Sequence, residues 1–344
     1  MTLEITAAAW AVTLAVIVAL FALDLGMAVG RPHAVGFREA AVWSAFYIGV
    51  AVLFGLAFSV WAGTEFGAQY FAGYIVEKTL SIDNLFVFVI IMGAFAVPAQ
   101  YQQKLLIVGI AIALVLRAIF IAVGAALLAY FAFMFLVFGL LLIWTGIALY
   151  RHRDEDPDVG ENLLVRTTRR VVPTSDQYHE GRFFVRVDGK RTATPLFIAL
   201  IAIGTTDLLF ALDSIPAVFG VTDEPYIVFV ANAFALLGLR ALFFLVKGLL
   251  DRLVYLSTGL AIILVFIGIK LVLHWAHGIW PQAPSVSTAL SLAVIVVVLT
   301  ITTIASIIAV RRDPSRVAHA GSVRGHEHPP EPTDDASPFR DGAV

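Results

Sequence analysis

Five carboxylates stand in stretches otherwise built of Leu, Ile, Val, Ala and Phe. They are Asp24 in FALDLG, Glu77 and Asp83 in EKTLSIDNLF, and Asp207 and Asp213 in TTDLLFALDSIPAVFG. An ionised acid near the centre of a membrane helix costs about 2.5 to 3.5 kcal/mol on insertion scales. Asp24, Asp83, Asp207 and Asp213 unpaired would together cost on the order of 10 kcal/mol, comparable with the whole stability of a typical domain. They must therefore face one another, a cavity, a cation or basic partners. Arg117, Arg240 and Lys270 are the basic residues nearest membrane depth, whereas Lys78 and Lys247 stand close enough to helix ends to snorkel. Acids outnumber these deep bases, and a buried ion pair rarely gives net stability. The alternative is a hard divalent cation such as Mg, Ca or Mn, which takes carboxylates, amides, hydroxyls and backbone carbonyls as ligands.

The neighbours of these acids fit that chemistry. Glu77, Ser81 and Asn84 fall at i, i+4 and i+7, one polar stripe on one face of a helix, with Asp83 beside the stripe rather than on it. Pro216 cannot donate to the carbonyl of Leu212, which frees an oxygen one residue from Asp213. Asn232 is a further neutral oxygen donor, with an interhelical hydrogen bond as its alternative role. The candidate metal ligands are thus Asp24, Glu77, Asp83, Asn84, Asp207, Asp213 and Asn232, for a transported cation rather than a resident cofactor.

Such residues must be positioned by membrane helices, because 60% of the 344 residues are hydrophobic, 14% are charged and the mean hydropathy is +0.90. An all-α polytopic membrane protein follows. A span needs about 20 apolar residues. Runs of that kind lie near 7–29, 40–61, 74–96, 104–123, 127–149, 196–220, 226–248, 255–275 and 287–310, which predicts about nine helices. The first run lacks a basic leader and is expected to be a retained span. With the N-terminus outside, Lys and Arg fall on inner segments: Arg31, Arg38, Lys104, nine basic residues between 151 and 194, Arg252, and five arginines from Arg311 onward. By the positive-inside rule the C-terminus is then cytoplasmic.

Residues 1–150 form a first bundle of about five helices and 195–310 a second of about four. The cytoplasmic loop 151–194 ends in RFFVRVDGKRTATP, which alternates around an Asp-Gly pair as a β-hairpin does, and could dock cytoplasmic protein partners. The tail 311–344 is rich in Pro and charge and is expected to be disordered and solvated, its His326 and His328 included. A net charge of -2 argues against a nucleic-acid partner, and the absence of Cys excludes thiol redox chemistry and thiolate metal sites. Neither G-x-S-x-G nor H-E-x-x-H nor a Walker A loop occurs, so neither an intramembrane enzyme nor an ATPase is expected. His274 and His277, among tryptophans in LHWAHGIW, suit an interfacial anchor. FALD occurs at 21–24 and 210–213, and SIDNLF resembles TTDLLF, hints of an inverted repeat meeting near the midplane.

VEKTLSIDNLFVFVIIM, TPLFIALIAIGTTDLLFALDSIPAVFGVT, NAFALLGLRALFFL and LDLG, in this order between about residues 20 and 275, closely resemble the TerC family of bacterial integral membrane proteins. The resemblance implies membership of the LysE-type exporter superfamily, an association with tellurite resistance, and manganese export as the proposed activity. It also places Asp24, Glu77, Asp83, Asn84, Asp207, Asp213 and Asn232 on the family's intramembrane polar positions. One position departs: many members carry Glu where this chain has Gly204, three residues before Asp207. The expectation is a divalent-cation exporter of the bacterial plasma membrane; the alternative is a membrane scaffold of a stress-response complex, with the loop 151–194 as its docking element.

Overall fold

A computed structural model describes residues 5–30, 35–153, 173–175, 178–187, 190–246 and 253–313. The helices are α1 (Ala7–Gly30), α2 (Phe37–Ala62), α3 (Thr64–Ala94), α4 (Ala99–Tyr130), α5 (Met134–Arg151), α6 (Pro195–Phe219), α7 (Pro225–Leu236), α8 (Leu239–Val246), α9 (Leu256–Ile279) and α10 (Thr288–Arg312). Between α5 and α6 lie a 3-10 turn at His179–Gly181 and the strands β1 (Phe184–Val187) and β2 (Lys190–Ala193). The strands pair antiparallel, Phe184 opposite Ala193 and Val187 opposite Lys190. The tail beyond Asp313, with His326 and His328, lies outside the described residues, as do Lys247 and 154–172.

Seven of these helices are long and apolar enough to cross a membrane, or eight units if α7 and α8, bent by 43°, count as one broken span. The 31-residue α3 has the length but is not among them, because Glu65, Glu77, Lys78 and Asp83 interrupt its apolar sequence. Three boundaries differ from the sequence expectation. The third run begins at Thr64 rather than 74, since only Gly63, at φ 104°, separates α2 from α3. Gly67 then lies so close to Ser59 that a Cβ there would meet its hydroxyl at 1.9 Å, and this small-residue contact lets the polar segment TEFGAQY continue as helix. The fourth run extends to Tyr130, because Gly124 stays helical and lets Phe219 approach to 3.3 Å of a built Cβ. The run 226–248 is not one helix: it breaks at Leu237 and Gly238, where Gly238 adopts φ 76°.

Contacts fix the relative directions of the helices. Gly73 faces Ala231 and Lys78 reaches Ala235, so α3 and α7 run the same way. Gly109 faces Ile203 and Gly124 faces Phe219, so α4 and α6 also run together. Gly73 meets Val218 whereas Glu77 lies by the Arg117 that holds Asp207, so α3 and α6 are antiparallel. Gly139 and Gly146 pack against Gly268 and Ala261 backbone, which brings α5 and α9 together in opposite senses through small residues. The core divides into three apolar clusters around α3, α4, α6 and α7, among them Leu85, Phe88 and Leu106; Val218, Leu264 and Ile267; and Tyr70, Phe234 and Ile227. Outward faces of α1, α2 and α10 expose Val12, Leu53, Val60 and Ile301, as a lipid-facing surface must.

The hairpin segment docks on the α3–α4 turn. The Tyr178 hydroxyl donates to the Phe95 carbonyl, Tyr101 stacks on Tyr178, and Lys104 donates to the Gly181 carbonyl at 3.0 Å while lying over the Phe183 ring. Burial pushes the Tyr178 phenol above its ordinary range.

Candidate cation site

The polar stripe of α3 is turned inward. Glu77 and Ser81 are fully buried and Asn84 is 3% exposed, against an α7 that places Asn232 at 1%. A single face holds them because residues four and three apart stack on one side of a helix. Arg117 of α4, itself 0% exposed, reaches into the same space. Its Nη1 donates to Glu77 Oε1 and, at 3.1 Å, to Ser214 Oγ. Its Nη2 and Nε donate to the two Asp207 oxygens at 3.2 and 3.4 Å, a forked contact that only a guanidinium offers. One base thus bridges acids from α3 and α6.

That pairing leaves atoms over. Glu77 Oε2, Ser81 Oγ, Asn84 Nδ2 and Asn232 Nδ2 are buried with no hydrogen-bond partner within the protein. A buried polar atom left in that state costs about 1 to 3 kcal/mol, and two of them one turn apart, on Glu77 and Ser81, mark a place where something polar belongs.

A second ion pair lies elsewhere. Arg240, at the first turn of α8, donates to Asp24 Oδ1 of α1 at 2.8 and 3.1 Å and to Gln103 Oε1 of α4 at 3.1 Å. The phenol of Tyr47 stands close to the same carboxylate. On the other side of the break, Lys78 donates to the Ala235 carbonyl at 2.9 Å. Lys78 therefore does not snorkel: it takes up a carbonyl that Leu239 would have bonded in an unbroken helix, and puts a cation at the negative end of α7.

Asp213 stands apart from both clusters. It is half-buried on α6, turned toward Thr145 of α5, whose hydroxyl donates to the Leu142 carbonyl at 3.1 Å. The six positions between Asp207 and Asp213 rotate them about 120° apart on a helix, which explains why one faces Arg117 and the other Thr145. The helix passes through Pro216 without ending, and Leu212 is exposed toward the lipid side. Asp83 lies in α3 with its side chain outside the described set.

The seven candidate residues therefore separate. Glu77 and Asp207 meet at Arg117; Asn84 and Asn232 are each buried, on α3 and α7; Asp24 belongs to Arg240; Asp213 is on its own. Among the described residues no three His, Cys, Asp or Glu side chains converge as a preformed metal site. Sequence reasoning named Arg117 and Arg240 as possible partners of the acids but not as members of the site. The missed signal is LRAIF at 116–120 and LRALF at 239–243, two arginines in one context. Of the other residues noted in sequence, Lys270 lies near Asp223 beside Gln69 and Thr288. His274 packs on Phe135 at 4.6 Å, and His277 Nδ1 lies 2.7 Å from the Ala283 carbonyl.

An all-helical scaffold with fully buried acid and arginine residues, one broken helix and apolar outward faces defines a polytopic integral membrane protein. Residues 62–314 match the profile of the Integral membrane protein TerC family, and the chain belongs to that family. It is 42% identical to an uncharacterized membrane protein of Myxococcus xanthus, over 91% of this chain and 96% of that one. It is 37% identical to the putative membrane-bound redox modulator Alx of Salmonella typhi, over 85% of this chain and 92% of that protein. The thylakoid membrane protein TERC of Arabidopsis thaliana is 42% identical over 66% of this chain and 59% of its own length. No solved structure matches the chain.

Proposed function

We propose that this protein exports a divalent metal cation, manganese foremost, from the cytoplasm through the acids between α3, α4 and α6. The carrying observation is the buried pair Glu77 and Asp207 on one guanidinium, with Glu77 Oε2 and Ser81 Oγ buried beside it and unpartnered. Carboxylate, hydroxyl and amide oxygens are the ligands that Mn²⁺ and Mg²⁺ take, and at membrane depth a net negative cluster attracts a cation strongly. The broken span α7–α8 supports the reading, since transporters commonly place irregular backbone where ions pass. Asp213 supplies a second carboxylate further along α6, a way station on the same route. In this reading α3 and the α7–α8 pair each traverse the bacterial plasma membrane, giving nine passes with the N-terminus outside and the C-terminus cytoplasmic. No cysteine is present for the thiol chemistry that a redox role would use.

Proteoliposomes holding the purified protein test it. Mn²⁺ uptake should exceed that of empty vesicles and be abolished in Asp207→Asn; equal flux in variant and wild type sinks the proposal.

The second reading is a membrane scaffold in a tellurite- or metal-stress complex. The observation favouring it is the docked hairpin, which presents exposed Arg182, Arg186 and Arg191 together. Under it, removing residues 160–185 destroys resistance while Asp→Asn changes in the helices leave resistance intact.

A further inference from the structure

We infer that Arg117 is a tethered competitor of the transported cation: its guanidinium fills the Glu77–Asp207 pair when no metal is bound and returns to expel the metal afterwards. This rests on the cation-export reading above and assigns the step that releases the ion.

Three observations carry it. First, the guanidinium stands where a cation would stand. It bridges α3 and α6 from α4, contacting both carboxylates and Ser214. Second, it does not satisfy the space. Glu77 Oε2 and, one helical turn on, Ser81 Oγ remain buried without partners, so a carboxylate oxygen and a hydroxyl are available as hard ligands for an ion that the guanidinium, lying on the other Glu77 oxygen, leaves unused. Third, the charge does not balance. Two acids face one base, while the neighbouring Lys78 points to the end of α7. A divalent ion on Glu77 and Asp207 neutralises both, and Arg117, always charged, is then in surplus. A site holding both cations carries excess positive charge, so entry of one favours departure of the other. A purely structural ion pair explains the first observation but neither of the others, since a buried pair stabilises only when its remaining lone pairs are satisfied.

The long arginine stem suits the movement. Its head can withdraw along α4 while the carboxylates stay on their own helices, so exchange needs side-chain rotation and no unfolding of a span.

The test is Mn²⁺ binding by full-length protein in detergent, followed by the loss of the free-ion electron paramagnetic resonance signal, together with thermal unfolding with and without Mn²⁺. R117Q should bind Mn²⁺ at least tenfold more tightly than wild type, and its unfolding temperature should rise more on adding Mn²⁺, because two carboxylates have lost their resident cation. R117K, whose point charge cannot fork across both carboxylates, should fold like wild type and bind severalfold more tightly. In proteoliposomes both variants should turn over more slowly, through slowed release. If R117K and every folded R117Q preparation bind Mn²⁺ with wild-type or weaker affinity, while E77Q and D207N still abolish wild-type binding, the tether is wrong and the cation site stands. If neither wild type nor any variant binds Mn²⁺, the cation site itself is wrong and the tether falls with it.

Discussion

The intramembrane carboxylates share a charge and little else: Glu77 and Asp207 lie on one guanidinium, Asp24 on another, and half-buried Asp213 stands apart beside Thr145. That Asp24, Glu77 and Asp207 turn inward was legible in the sequence, because a charge facing lipid is costly and must find a partner. Which base each would choose was not legible. Arg117 is separated from Glu77 by 40 positions and from Asp207 by 90, and nothing local encodes a contact at that distance. Gly204 makes the point from the opposite side. The resemblance to the TerC family raised the expectation of Glu there, and a Cβ built at Gly204 meets nothing within 4 Å. The helix therefore has space for a side chain one turn before Asp207, and Glu has the higher helix propensity. If the Asp207 site takes a cation, Gly204→Glu should fold and bind Mn²⁺ about tenfold more tightly, equivalent to ~1.4 kcal/mol. Unchanged affinity in a folded variant would mean that position 204 does not face the ion.

At the scale of elements, the feature hidden from the sequence is the break in the seventh run. Periodicity and apolarity continue across NAFALLGLRALFFL, so a single span is expected. Gly238 decides otherwise. Its φ of 76° is a conformation that side-chain-bearing residues adopt at a cost, and a Cβ there would sit 2.6 Å from the Tyr47 ring. The break is then held on both sides: Lys78 takes the Ala235 carbonyl, and Arg240 ties the start of α8 to Asp24 and Gln103. The hidden break and the visible charges are one device, because backbone opened at membrane depth needs polar side chains to close its bonds. Gly238→Ala should therefore destabilise the protein by about 1 to 3 kcal/mol from strain and overpacking, seen as a lower unfolding temperature in detergent. An unshifted midpoint would show that the bend is soft rather than fixed by Gly238 and Tyr47. The hairpin, by contrast, was readable, since VRVDGKRTA alternates on either side of a turn pair and local pattern suffices to set a two-strand register.

For the whole molecule, direction is the most informative property. The antiparallel α3 and α6 carry SIDNLF and TTDLLF, and Arg117 of LRAIF and Arg240 of LRALF follow Asp83 and Asp207 by 34 and 33 positions. That order, Asp-bearing helix then Arg-bearing helix, occurs in both halves with opposite senses, as an inverted repeat requires. The helix directions also put the hairpin at one end of the bundle, by the α3–α4 turn and the start of α6. The opposite end gathers the finish of α6, the start of α3 and the α9–α10 connection, where Phe219, Gln69, Lys270 and Thr288 line one pocket. Arg186 and Gln282 are exposed at these opposite ends, and the absence of native cysteine makes single-cysteine labelling unambiguous. Gln282→Cys should react with a membrane-impermeant maleimide in intact cells, whereas Arg186→Cys should react only after permeabilisation. The reverse pattern would turn the molecule over and make the same acids a route of uptake, and labelling of both in intact cells would mean that the two ends do not lie on opposite sides of the membrane.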